Sequence, residues 1–124
     1  MEIRRIRQII KTFSDDTRLR IIALLHAETL NVTDLCKIVG KSQSNISKHL
    51  ARLRLTGLVS DKRQGQNVFY FLRKSANDIE DKLVNSLTSS LSATEIFKKD
   101  IEALNKIRKK NKSSCPPATA KPSL

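Results

Sequence analysis

Four side chains in this chain of 124 residues could serve as soft ligands, nucleophiles or near-neutral proton carriers: Cys36, Cys115, His26 and His49. Their types and spacing assemble nothing. Two histidines, two distant cysteines and three glycines offer no catalytic triad, no metal cluster and no phosphate-cradling loop. No enzymatic activity, cofactor or bound metal is expected. Cysteines this far apart make no disulfide framework, which points to a reducing, cytoplasmic setting. Cys36 reads as a small buried hydrophobe. Cys115, between Ser114 and Pro116, has basic neighbours that favour a thiolate but reads as a bystander. His26, near the end of a helical stretch, reads as a dipole partner or surface residue.

The chemistry the chain does offer is hydrogen bonding and positive charge, concentrated between Lys41 and Gly57. Ser42 is a good N-cap, with Asn45 three residues on, and Gly57 is a natural stop. Ile46, Leu50, Leu53 and Leu55 are the apolar positions, and the first three follow i, i+4, i+7. Ser44, Ser47, Lys48 and Ala51 fall on the opposite side. Such a face lets a helix approach a duplex closely, and Gln43 and Ser44 occupy the end that reaches base edges.

The charge agrees. Lys and Arg number 24 against 12 Asp and Glu, a formal +12. From Lys37 to Asn67 seven residues are basic and one, Asp61, is acidic. A small domain with that excess seeks a polyanion. A membrane is the competing partner, but no apolar run approaches the ~20 residues needed to span a bilayer. The N-terminus lacks the apolar stretch of a secretory signal. Aromatics at 4% argue against single-strand binding by base stacking.

The elements that must position this face can be taken in order. Ile3, Ile6, Ile9, Ile10 and Phe13 predict a helix over 2–13. Residues 14–17 recap the chain for a second helix running to about 27. Asn31 and Asp34 resemble a capping box for a short third helix, which Gly40 ends. Helix, tight glycine turn and helix make a helix-turn-helix. After Gly57 the period changes to two, and strands over 58–63 and 66–72 join through a Gln64–Gly65 turn. The hairpin tip displays Lys62, Arg63, Gln64 and Gln66. The expected fold is mainly α with a β-hairpin: a winged helix-turn-helix.

The expected duplex-DNA contacts are Lys41, Ser42, Gln43, Ser44, Asn45, Ser47, Lys48, His49, Arg52, Lys62, Arg63, Gln64 and Gln66. His49 lies beside the inward stripe and reads as packing, with a phosphate hydrogen bond open to it. Ser75 with Asp78 starts a helix that weakens at 86–92, and Ser92 with Glu95 starts another; one kinked helix is the alternative. The terminal helices carry more apolar surface than a 60-residue core needs. A homodimer is therefore expected through Ile3, Ile6, Ile10, Ile79, Leu83, Leu87, Ile96 and Leu104. Residues 1–110 read as one DNA-binding and dimerisation domain. Residues 111–124, with all three prolines, read as a disordered basic tail.

Residues 12–73 resemble the winged-helix domain of the ArsR/SmtB family of bacterial transcriptional repressors. Three segments carry the resemblance. Phe13 to Ile21 is similar to the family's opening, with Asp16 where a proline is usual. Ser42 to Leu53 resembles its recognition helix. Gly57-Leu58-Val59, Arg63-Gln64-Gly65 and Val68-Phe69-Tyr70 resemble its wing. The resemblance implies a homodimer that binds an inverted-repeat operator and releases it on meeting an inducer. Arsenic-sensing members place Cys-Val-Cys where this chain has Asn31-Val32-Thr33, and zinc-sensing members use Asp and His pairs where residues 76–91 hold no histidine. Neither site carries over, so the inducer stays unknown. Two alternatives remain: a thiol-based redox or metalloid sensor of the same fold using Cys36 and Cys115, and a winged-helix RNA-binding protein.

Overall fold

A computed structural model describes residues 1–110. The tail over 111–124, with Cys115, lies outside the described residues. The elements run α1 (Ile3–Phe13), α2 (Asp16–Ala27), β1 (Leu30–Asn31), α3 (Val32–Val39), α4 (Gln43–Leu55), β2 (Val59–Gln64), β3 (Asn67–Leu72), α5 (Asp78–Leu91) and α6 (Glu95–Lys110). The strands form one antiparallel sheet in the order β1-β3-β2. This is the winged helix-turn-helix that the periodicity predicts.

The caps explain most boundaries. The Asp15 carboxylate accepts from the Arg18 amide and starts α2. Asn31 Oδ1 accepts from the Asp34 amide at 2.8 Å and starts α3. Gly40 ends α3 at φ 77°, returning its N–H to the Cys36 carbonyl. At the end of α4, Gly57 adopts φ 80° and donates to the Arg54 carbonyl, while Leu58 donates to Leu53. That pair of bonds is a Schellman motif, which turns the chain from α4 into β2.

Three boundaries differ from the sequence expectation. The hairpin pairs Gln64 with Asn67, so its turn is Gly65–Gln66, not Gln64–Gly65. Gly65, at φ 61°, takes the first turn position, which a type II′ turn reserves for glycine. Asn77, not Ser75, caps α5, its Oδ1 accepting from the Ile79 and Glu80 amides. Ser75 instead orders the turn, accepting from Asn77 and donating its own amide to Asp81. The last two helices are separate, and Thr94, not Ser92, caps α6 by accepting from the Phe97 amide. The two-residue strand β1 was not anticipated; it pairs Leu30 with Tyr70 and Asn31 with Phe69.

The core is continuous. Ile9, Ile21, Ile22, Leu24, Leu35, Ile46, Leu50, Leu53 and Leu104 are its most enclosed apolar side chains. Helix α5 packs on α2, and α6 packs on α2 and α3. Within α6, Phe97 and Leu104 are buried in this one chain. So is Asp100, whose carboxylate takes both arms of the Arg20 guanidinium.

Candidate nucleic-acid interface

Helix α4 presents two faces because its apolar residues return every three to four positions. Ile46, Leu50 and Leu53 are fully enclosed. Gln43, Ser44, Ser47, Lys48, Ala51 and Arg52 are exposed. Ser42 holds the N-terminus, its hydroxyl accepting from the Asn45 amide at 3.2 Å and lying 3.4 Å from Ser44 Oγ. Lys41, also exposed, precedes it. The N-terminal end thus offers short polar side chains, unburied backbone N–H groups and the positive end of the helix dipole.

Not every expected residue faces outward. Asn45 is half-buried, and its Oδ1 is enclosed without a hydrogen-bond partner. His49 turns toward α2, with Nδ1 3.4 Å from an Arg18 guanidinium nitrogen and Nε2 3.9 Å from the Asp15 carboxylate. Burial holds its imidazole below the ordinary histidine range, with Arg18 and Arg52 adding to the effect and Asp15 opposing it. Its contacts with Arg18 and Asp15 set His49 between α4 and the start of α2. Leu55, fourth of the apolar positions, is 87% exposed, because at about 100° per residue it points to the side of α4 opposite Ile46 and Leu53.

The wing adds charge beside the helix. Lys62, Arg63 and Gln66 are exposed, while Gln64 is half-buried in its strand. As strand neighbours, Lys62 and Arg63 leave opposite faces of the ribbon. Arg54, at the end of α4, pairs with Asp61 of β2 at 3.5 Å, so the one acid among these basic residues is partly neutralised.

The eight apolar residues expected at a dimer surface divide into groups. Ile3, Ile10, Ile79 and Ile96 are exposed; Ile6, Leu83 and Leu87 are half-buried. Leu104 is 1% exposed and belongs to the protomer's own core. Two contacts carried no local sequence signal. His26 Nε2 lies 3.1 Å from Asn85 Oδ1, tying α2 to α5. Arg5 reaches both the end of α4 and the start of α5.

The residues at the family's usual metalloid position do not fit that ligand. Asn31 Oδ1 is occupied as a helix cap, Thr33 is exposed and offers a neutral oxygen, and Cys36 is a single half-buried thiol. On α5, Glu80 is engaged by Arg5 and Asp81 by the Ser75 amide. Among the described residues, no three His, Cys, Asp or Glu side chains converge as a metal site, and no helix is long and apolar enough to cross a membrane.

Comparison with known proteins places this geometry. Residues 15–61 match the family model described as "Bacterial regulatory protein, arsR family". The "Arsenical resistance operon repressor" of Escherichia coli (strain K12) is 47% identical over 66 residues, covering 52% of this chain and 56% of that protein. The chain spans between half and two thirds of the curated relatives it matches. Among solved structures, HlyU from Vibrio cholerae N16961 superposes with a TM-score of 0.62 at 30% identity, covering 73% of this chain and 97% of that one. The "transcriptional repressor BigR" from Xylella fastidiosa gives 0.64 at 29%, covering 73% and 86%. The matched residues run from the cap of α2 through the exposed face of α4 into the wing, and the superposition extends beyond them: the chain belongs to the ArsR family of bacterial regulatory proteins.

Proposed function

We propose that the protein regulates transcription by binding an inverted-repeat DNA duplex as a homodimer. The observation that carries this reading is the solvent face of α4, where Ser44, Ser47 and Lys48 stand clear of the core beside a basic wing. Ser44, Ser47 and Lys48, with Gln43 at the helix start, approach base edges in a major groove. Lys41, Arg52, Lys62 and Arg63 hold phosphates, and Ser42 sets the helix start against the backbone. Gln64 and Gln66 belong to the wing edge. Asn45 and His49 act from behind the reading face. The exposed Ile3, Ile10, Ile79 and Ile96 support the dimer, which would set two reading helices about one helical turn apart, ~34 Å.

The relatives' names show both directions of control. The Escherichia coli and Xylella fastidiosa proteins are called repressors, and HlyU of Vibrio cholerae is named "Transcriptional activator HlyU". Repression is the direction we propose, with release by a signal that does not use Asn31, Thr33 or α5 as metal ligands.

The test is selection of bound duplexes from random-sequence DNA, followed by competition with scrambled duplex DNA and duplex RNA. A recovered palindromic site that scrambled DNA and RNA displace only at large excess is the expected result. Equal competition by RNA, or no enriched sequence, overturns the reading.

A further inference from the structure

Arg5 of α1 makes more side-chain hydrogen bonds than its place in a basic, solvent-facing stretch requires. Its Nε donates to Glu80 Oε1 at 2.7 Å and its Nη2 to Glu80 Oε2 at 3.0 Å, a two-armed bond to the first turn of α5. Its Nη1 donates to the Thr56 carbonyl at 2.6 Å and to Gln8 Oε1 at 2.9 Å. Four of the five guanidinium donors are therefore used, on three elements. The Glu80 side chain is 9% exposed and that of Arg5 25%, so the pair is largely withdrawn from water.

The position of Thr56 gives this cluster its meaning. Thr56 is the C-cap of α4, and Gly57 immediately after it turns the chain into the wing. Its carbonyl is one of the last in the helix, which has no partner within the helix itself. Arg5 supplies that partner. On its other side, Arg5 grips the helix whose exposed Ile79 adjoins Glu80, and it lies two residues from the exposed Ile3 on its own helix. One planar group thus joins the C-terminal end of the reading helix to α1 and α5, two of the three helices that carry exposed isoleucines. Lysine could not reproduce this, because a single ammonium cannot span a carboxylate fork and a carbonyl in one plane.

We infer that Arg5 and Glu80 are positioning residues for DNA recognition: they set the angle of α4 against the dimer helices without touching DNA. This rests on the proposed function. It adds that sequence discrimination by α4 depends on a contact at the opposite end of the helix from its reading residues. Electrostatic attraction to phosphates varies less steeply with that angle than base-edge hydrogen bonds at ~3 Å do.

The experiment uses the full chain, a duplex recovered by selection and a scrambled duplex of the same composition. Arg5→Lys and Glu80→Gln should each lower affinity for the selected duplex about tenfold while changing affinity for the scrambled one less than twofold. The double variant should be no worse than either single one, because both break the same cluster. Asp100→Asn is the comparator: it weakens another short ion pair, which joins α2 to α6 rather than gripping the end of α4. It should lower the melting temperature and leave the ratio of selected to scrambled affinity intact. Unchanged ratios for both Arg5→Lys and Glu80→Gln overturn the inference, as does an equal loss of ratio in Asp100→Asn, which would make the effect one of general stability. Should the wild-type chain itself fail to discriminate between the two duplexes, the DNA-binding reading falls and this inference with it.

Discussion

Arg20 on α2 and Asp100 on α6 meet in a two-armed ion pair, Nε to Oδ2 at 2.9 Å and Nη2 to Oδ1 at 2.7 Å, with Asp100 only 2% exposed. The pair fixes the last helix to the helix-turn-helix core across 80 positions of sequence. Removing one partner of such a pair leaves an uncompensated charge. Asp100→Ala should therefore destabilise the fold by about 3 kcal/mol, the low end of the usual range because Arg20 keeps some solvent contact. Urea unfolding at pH 7 measures it, and a loss under about 1 kcal/mol would show that water replaces the carboxylate without cost.

The Arg5 guanidinium holds the Glu80 carboxyl below the usual glutamate range, mainly through their hydrogen bond. Because the folded value lies below the unfolded one, the resulting stability is fully present above the unfolded value of about 4.3. It is lost as pH falls through the lowered folded value. Glu80→Gln should flatten the dependence of unfolding free energy on pH below about 4.5. A residual slope should remain from Asp15, whose carboxyl the Arg18 amide also holds low. Identical slopes in variant and wild type would contradict this account.

The exposed and enclosed apolar residues should separate in experiment. Ile3 is 73% and Ile79 60% exposed, so Ile3→Asp and Ile79→Asp should shift sedimentation at micromolar concentration toward monomer. Leu104→Ala should instead reduce protomer stability by about 2–5 kcal/mol. A monomeric wild-type chain under reducing conditions would remove the dimer from the proposal.

Lys62→Ala and Arg63→Ala should each weaken selected and scrambled duplexes alike and reduce the slope of log affinity against log salt by about 0.9 for each phosphate left unneutralised. Both residues are exposed and leave opposite faces of the wing, so each can reach a separate phosphate. A change in preferred sequence at constant slope would assign them to base reading instead.

Arsenite and zinc should not release the selected duplex through Asn31, Thr33 or α5, since those groups are caps, neutral oxygens or ion-pair partners. A Cys36→Ser, Cys115→Ser double variant should bind DNA and respond to the true inducer as wild type does. Release of wild type but not of the variant by arsenite, zinc or peroxide would make the cysteines the sensor.

Local chemistry alone was enough for much of this protein. Ser42, Asn31, Gly40 and Gly57 act on amides and carbonyls a few residues away, so their caps and stops are legible without knowing the fold. The same holds for the two faces of α4, which follow from the 3.6-residue period. Where several local solutions compete, long-range pairing chose among them. The wing turn moved by one residue because cross-strand register sets Gln64 against Asn67. Asn77 displaced Ser75 as a cap within a run of residues able to do either job. Where a side chain reaches across the chain, no local pattern existed to read. The burial of Leu104 and Asp100 depends on α6 lying on α2 and α3, and the role of Arg5 depends on partners 51 and 75 residues away. Amphipathic periodicity says that a helix has an inner face, but not which neighbour covers it. A long flexible guanidinium has many reachable partners until packing brings two of them within about 3 Å.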